Sequence, residues 1–81
     1  MSDKKILLEN LDKVHTTELG VERIKKNLKI NPDDVVEYCK DKIKEEESEV
    51  YREGKNYYVI NDSFKFTVNA SSFTIITAHI I

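Results

Sequence analysis

The apolar residues of this chain recur with two different periods, and the period changes once, near Ser48. Before Ser48 the spacing is three and four residues, which is typical of amphipathic helices; after it, apolar and polar residues alternate, which is typical of strands. The pattern predicts helices over residues 4–14, 17–29 and 32–46, and strands over residues 49–53, 57–61, 64–69 and 73–80.

The predicted strands are joined by connections too short for parallel crossovers, so they should form an antiparallel meander. Helices that precede such a sheet must bury their apolar faces against it. We therefore expect a single α+β domain over residues 1–81, with three N-terminal helices packed on one face of a four-stranded antiparallel sheet.

Polar residues ahead of the second and third helices predict where these helices begin. Either Thr16 or Thr17 can cap the second helix, because a side-chain hydroxyl accepts a hydrogen bond from a free amide of the first turn. Asn31 is predicted to cap the third helix, followed by Pro32, whose missing N–H is no loss in a first turn.

The last predicted strand, residues 73–80, is apolar on both sides, which suits a position in the middle of the sheet. At an edge, the same strand would be free to pair with another chain. Alternation assigns its side chains to two faces, one with Ile76, Ala78 and Ile80 and the other with Phe73, Ile75, Thr77 and His79. If the first set faces the helices, the second lies on the open face.

Composition limits the chemistry. The formal net charge of -2 provides no overall positive field for nucleic acid, so such a contact needs a local basic patch. One cysteine, Cys39, and two distant histidines lack the spacing of a metal site, and we expect no metal and no cofactor. With no secretory signal and no run of about 18 apolar residues, the sequence predicts a cytoplasmic protein with no membrane partner.

Four segments, residues 15–20, 23–28, 33–36 and 74–79, resemble domain of unknown function 3781, a family of small bacterial and archaeal proteins. The similarity spans nearly the whole chain and is most specific at the two ends. It implies one compact domain and no particular activity. The chain departs from the pattern associated with the family at Ser71, where a histidine is expected, at Phe73, where a tyrosine is expected, and at Ile80, where a lysine is expected.

The layout is also similar to that of metal-independent ribonucleases of the barnase, RelE and EndoU types, in which helices lead into an antiparallel sheet. RNA cleavage without metal needs a group that transfers protons and groups that hold the charged phosphate. His79, joined by His15 if the two meet, is the candidate for proton transfer. The candidates for binding phosphate or orienting it are Arg52, Lys55, Lys65, Asn69 and Thr77.

Two other functions remain open on the sequence alone, as does the question whether the chain is an enzyme. A sheet with an exposed apolar or tyrosine-bearing face can dock on a protein partner or form a homodimer. The second and third helices can also be read as a helix-turn-helix that binds DNA. Against that reading, the recognition helix would begin with Asp33 and Asp34, which repel phosphate.

Overall fold

The computed structural model describes residues 2–61 and 63–81. In these residues three α-helices come first, α1 (Asp3–Glu9), α2 (Glu18–Leu28) and α3 (Val35–Lys44), with a 3-10 turn (Leu11–Lys13) between α1 and α2. Four strands follow, β1 (Glu49–Glu53), β2 (Asn56–Asn61), β3 (Phe64–Asn69) and β4 (Ile75–Ile80). The strands are antiparallel and lie in the order β1-β2-β3-β4, so the predicted α+β fold with an antiparallel meander is confirmed.

The core lies between the helices and one face of the sheet. At its centre Val59, Phe66 and Ala78 are cross-strand neighbours, and all three are fully buried. The helices contribute the buried side chains Leu7, Ile24, Leu28, Val35, Cys39 and Ile43. Burial of this apolar surface is the main favourable contribution to folding in a domain of this size.

The helix ends follow from individual side chains. Thr17 Oγ1 accepts a hydrogen bond from Gly20 N at 3.0 Å and caps α2. The prediction that Asn31 caps the third helix is wrong: Asp34 Oδ1 accepts from Glu37 N at 3.1 Å, and α3 begins at Val35. The aspartate gains more than asparagine would, because its charge also complements the positive end of the helix dipole.

The first helix is shorter than predicted and ends at Glu9. Asn10 Nδ2 donates to Ile6 O at 2.9 Å, and the Asn10 backbone leaves helical geometry at φ -111 and ψ 17. The apolar spacing continues through Val14, which is buried, so the periodicity persists although the chain continues as a 3-10 turn.

β4 is an edge strand, and the prediction of a central position is wrong. A bulge explains its apolar pattern: Thr67 pairs with Thr77 and Val68 with Ile75, so that Ile76 has no residue opposite. One extra residue reverses the alternation of side chains. As a result Ile75 faces the helices together with Ala78, whereas Ile76 is 45% exposed.

The outer edge of β4 is covered by side chains and backbone from the helical half. Ile75 N donates to His15 O at 2.7 Å, and Thr16 Oγ1 donates to Ile75 O at 3.1 Å. Asn27 Nδ2, on α2, donates to Ala78 O at 3.1 Å. These bonds occupy edge groups that would otherwise be available to a strand of another chain.

We expect Gly20→Ala to destabilise the protein, although glycine to alanine inside a helix normally stabilises by about 1 kcal/mol. A Cβ at Gly20 would collide with Thr16 Oγ1. Moving that hydroxyl removes a hydrogen-bond donor from the carbonyl of the buried Ile75, which costs about 1–3 kcal/mol and outweighs the gain in helix propensity. Urea unfolding of the variant should show a lower midpoint than wild type. Glu22→Ala, at an exposed position of the same helix, is the matched control, and a rise in both midpoints would contradict the expected clash.

Candidate functional site

The face of the sheet turned away from the helices, called the open face below, carries polar and aromatic side chains. In-register pairing places one side chain of each strand in a middle row, Tyr51, Tyr58, Thr67 and Thr77. A second row, nearer the other end of the sheet, consists of Glu49, Ile60, Lys65 and His79. Every strand thus contributes to one continuous surface.

Two tyrosines on the open face form an aromatic platform. The rings of Tyr51 and Tyr58 are stacked, with centroids 5.4 Å apart and an interplanar angle of 23°. Lys65 Nζ lies 5.2 Å from the centroid of the Tyr58 ring. A cation next to aromatic rings is the composition of sites that stack planar ligands and hold an anion beside them.

Three of the predicted site residues lie together on the open face. Lys65 is directly opposite His79, and Thr77 is opposite Thr67 on the neighbouring row. His79 is exposed and Lys65 is half-buried. Side chains opposite each other on adjacent strands have Cβ atoms about 5 Å apart, so Lys65 and His79 can contact the same group.

Asn69 has the strand parity of Lys65, but its side chain is already engaged. Asn69 Oδ1 accepts hydrogen bonds from Ser71 N and Ser72 N, both at 2.9 Å. This arrangement closes the loop between β3 and β4. Asn69 therefore shapes the loop and does not present a free carbonyl oxygen to the open face.

Arg52, a predicted phosphate-binding residue, does not lie on the open face with Lys65. Arg52 pairs with Tyr57, whose side chain is buried under the helices, and its guanidinium carbon lies 5.8 Å from the centroid of the Tyr57 ring. Arg52 therefore belongs to the opposite side of the sheet from Tyr51. Lys55 lies in the turn between β1 and β2, where its carbonyl accepts from Ala70 N at 2.8 Å.

His15 and His79 do not meet. His15 lies beside Thr74, ahead of β4, with Nε2 3.1 Å from Thr74 Oγ1 and Nδ1 2.8 Å from Lys13 O. Thr74 precedes His79 by five residues, which corresponds to about 15 Å along an extended chain. Because a carbonyl oxygen only accepts, Nδ1 of His15 donates to it. The ring thus fastens the segment before α2 to the start of β4.

The loop before β4 holds a feature that periodicity did not predict. Phe73 was expected to begin the last strand, but its backbone is left-handed, with φ 59. The conformation is held by Phe73 N donating to Asn69 O at 2.9 Å and by His15 N donating to Phe73 O at 3.1 Å. The Phe73 ring also stacks on Tyr57, with centroids 6.4 Å apart. For a bulky residue this conformation is costly, and contacts from several segments maintain it.

The stacking of Tyr51 on Tyr58 was not predicted, although the sequence contains a signal for it. Gly54 and Lys55 form a two-residue turn, with Glu53 opposite Asn56. Counting outward from that pair places Tyr51 opposite Tyr58 on the same face. Gly54 has a φ of 63°, which glycine adopts without strain, so the glycine at this position predicts the turn.

Cys39 is fully buried on α3, and burial raises the pKa of its thiol from 9.0 to about 12. We expect no reaction with an alkylating reagent in the native protein near neutral pH and complete reaction in denaturant, because only the thiolate is nucleophilic. The unfolded chain loses this proton first as the pH rises, so the thiol's contribution to stability is lost progressively above pH 9.0. Rapid native-state alkylation, followed by mass spectrometry, would contradict the assignment of Cys39 to the core.

Within residues 2–61 and 63–81, no three histidine, cysteine, aspartate or glutamate side chains converge as a metal site requires. None of the helices in this part of the chain has the length and apolar character needed to cross a membrane.

The fold and the open face define a class: a small α+β domain whose helices cover one side of an antiparallel meander and leave an aromatic, polar side uncovered. The chain belongs to the family described as "Protein of unknown function (DUF3781)", which matches residues 8–79. This confirms the predicted family resemblance. No significant match was found among curated proteins or among solved structures. The similarity in layout to metal-independent ribonucleases stays a prediction.

Proposed function

We propose that the open face binds single-stranded RNA. The observation that carries the proposal is the stacked pair Tyr51 and Tyr58 with Lys65 beside it. Single-stranded nucleic acids bind to surfaces that combine aromatic rings for the bases with cations for the backbone. The row positions support the same arrangement, because His79 lies next to Lys65 on the side of the sheet away from Tyr51.

The spacing of the strands suits one nucleotide chain lying along the face. Neighbouring strands are about 5 Å apart, so β3 is one step from Tyr58 and β4 is two steps away. Tyr51 covers one face of the Tyr58 ring and Lys65 Nζ lies over the other, so a base that stacks on Tyr58 takes the place of the ammonium group. The displaced Lys65 and the neighbouring His79 then lie within reach of its phosphate, and the hydroxyl of Thr77 offers a further donor. Bases lie toward β1 and β2, and the backbone lies over β3 and β4.

Binding is better supported than cleavage. Metal-independent cleavage needs a base for the 2′-hydroxyl and an acid for the leaving oxygen. His79 is the one imidazole among the described residues of the open face, because His15 hydrogen-bonds Thr74 and Lys13 elsewhere. Cleavage by His79 remains a separate prediction: if it occurs, His79→Ala should abolish it with the fold intact, since this side chain is exposed.

The test is a fluorescence anisotropy titration of a short, labelled, mixed-sequence RNA at several salt concentrations. We expect binding that weakens with salt, and Lys65→Ala should reduce the affinity and lower the slope of log K against log salt by about 0.7, the value for one phosphate contact on a single strand. The matched control is Lys26→Ala, an exposed lysine on α2, which should change neither quantity.

Two results would contradict the proposal. One is the absence of binding at low salt; the other is an equal loss of affinity in the Lys65→Ala and Lys26→Ala variants, which would show nonspecific attraction. Self-association that is independent of salt and is abolished by changes at Tyr51 would instead assign the open face to a protein interface.

A further inference from the structure

The loop between β3 and β4 brings hydroxyl groups into contact with an imidazole, at the opposite end of β4 from His79. We propose that Thr74 is a nucleophile, that His15 is its general base, and that this pair takes acyl groups from activated esters. The activity is separate from RNA binding on the open face, because Thr74 precedes His79 by five residues, or about 15 Å of extended chain.

The Thr74 hydroxyl is hydrogen-bonded to the imidazole of His15. Thr74 Oγ1 lies 3.1 Å from His15 Nε2, and His15 Nδ1 lies 2.8 Å from Lys13 O. A carbonyl oxygen only accepts, so Nδ1 carries a proton, and in the neutral ring Nε2 presents its lone pair to the hydroxyl. A nucleophile in contact with a base whose other nitrogen is oriented by a third group is the arrangement used in covalent catalysis.

Ser72 extends this contact into a chain of hydrogen bonds. Ser72 Oγ lies 2.7 Å from Thr74 Oγ1 and 3.2 Å from Asn69 Oδ1. When the neutral ring of His15 accepts the hydroxyl proton of Thr74, Ser72 can donate to Thr74. When the ring is protonated, the donors run the other way, from His15 through the two hydroxyls to Asn69. Each group keeps a partner in both states, as a base that takes up and returns a proton requires.

Backbone hydrogen bonds hold the nucleophile and the base together, although the two residues are 59 positions apart in the sequence. His15 N donates to Phe73 O at 3.1 Å, and Ile75 N donates to His15 O at 2.7 Å, so one bond lies on each side of Thr74. His15 and Thr74 thereby form a parallel bridge. Because their approach is fixed before a substrate arrives, little entropy is lost in reaching the reactive geometry.

The backbone next to Thr74 is strained, and the site is open to solvent. Phe73 has a left-handed φ of 59°, which is costly for a bulky residue and is a kind of strain that concentrates at active sites. His15 and Ser72 are exposed and Thr74 is half-buried, so an ester can reach the hydroxyl. Lys13 Nζ lies 5.9 Å from the centroid of the Phe73 ring, which places a cation near the acyl oxygen on which negative charge develops.

The reaction is an acyl transfer. Thr74 Oγ1 forms a bond to the carbonyl carbon of the ester while its proton passes to His15 Nε2, and the bond from that carbon to the leaving oxygen then breaks. The imidazolium returns the proton to the leaving oxygen. Threonine and ester are thereby converted to acyl-threonine and a free alcohol.

The experiment treats the full-length protein with an alkyl fluorophosphonate, whose phosphorus takes the place of the acyl carbon and loses fluoride when the hydroxyl attacks. Peptide mass spectrometry of the native protein should find the adduct on Thr74, and denatured protein should remain unlabelled. Thr74→Ser should keep the labelling and Thr74→Val, of nearly the same shape, should abolish it. His15→Gln should slow it by about 100-fold or more, the usual contribution of a general base.

The matched control is Ser71→Ala, which removes an exposed hydroxyl of the same loop and should leave the labelling rate unchanged, with circular dichroism establishing that each variant is folded. An unlabelled native wild type, an adduct on Ser72 in place of Thr74, or a folded His15→Gln variant that reacts as fast as wild type would overturn the proposal. Equal labelling of native and denatured protein would also overturn it, because the reactivity would then not depend on the fold. RNA binding is measured separately by anisotropy and stands or fails independently of these results.

Discussion

Phe66→Ala is expected to lower the free energy of unfolding by about 3–5 kcal/mol. Phe66 is the largest of the fully buried side chains and lies at the centre of the sheet, between Val59 and Ala78. Truncation removes its buried apolar surface and leaves a cavity that the neighbouring strands cannot fill without shifting. For a domain of fewer than 100 residues this corresponds to a fall in Tm of roughly 12 °C or more.

The measurement is thermal and urea unfolding followed by circular dichroism. The matched control is Ile76→Ala, a truncation in the same sheet at the bulge position, where the side chain is 45% exposed. Its cost should stay below about 1 kcal/mol. Comparable losses in the two variants would mean that Ile76 is a core residue and that the alternation of β4 is not reversed by the bulge.

Tyr58→Ala is expected to reduce affinity for single-stranded RNA by about 1–3 kcal/mol, the range observed when one base loses its aromatic partner. This corresponds to roughly a fivefold to 150-fold rise in Kd. Tyr58 is the central residue of the aromatic platform, because its ring stacks on Tyr51 and lies under Lys65 Nζ.

Tyr58→Phe separates stacking from hydrogen bonding in the same anisotropy titration. Phenylalanine keeps the ring and loses only the hydroxyl, so binding close to that of wild type is expected, with circular dichroism confirming that both variants are folded. If Tyr58→Phe weakens binding as much as Tyr58→Ala, the hydroxyl is the binding group and the stacking arrangement is wrong. If neither variant changes the Kd, the RNA does not lie on the open face.

Much of the candidate site followed from local patterns. Alternation in β3 placed Lys65 and Thr67 on one face and Phe66 and Val68 on the other, and the structure has the same assignment. Local patterns did not predict the geometry where residues distant in sequence determine it. Arg52 was grouped with Lys65 by charge, without the register that puts it beside Tyr57 on the other side of the sheet.

The role of His15 could not be predicted from the residues next to it in the sequence. Its Nδ1 contacts the nearby carbonyl of Lys13, but its other contacts are with Phe73 and Thr74, almost sixty residues later. When two histidines are far apart in the sequence, local patterns do not predict whether their side chains come into contact. Tertiary contacts placed His15 at the opposite end of β4 from His79, with Nε2 beside Thr74 Oγ1.

The amino-acid sequence by itself determined the order of elements, the antiparallel meander and the pairing of β1 with β2. The reason is that the hydrophobic period, the short connections and the turn at Gly54 act over a few residues, where sterics and burial leave few choices. The tertiary structure alone decided the reversed alternation at Ile76, the edge position of β4 and the cover over that edge. Those features depend on contacts from α2 and from the segment before it, because an edge strand is stabilised only when distant groups satisfy its free backbone.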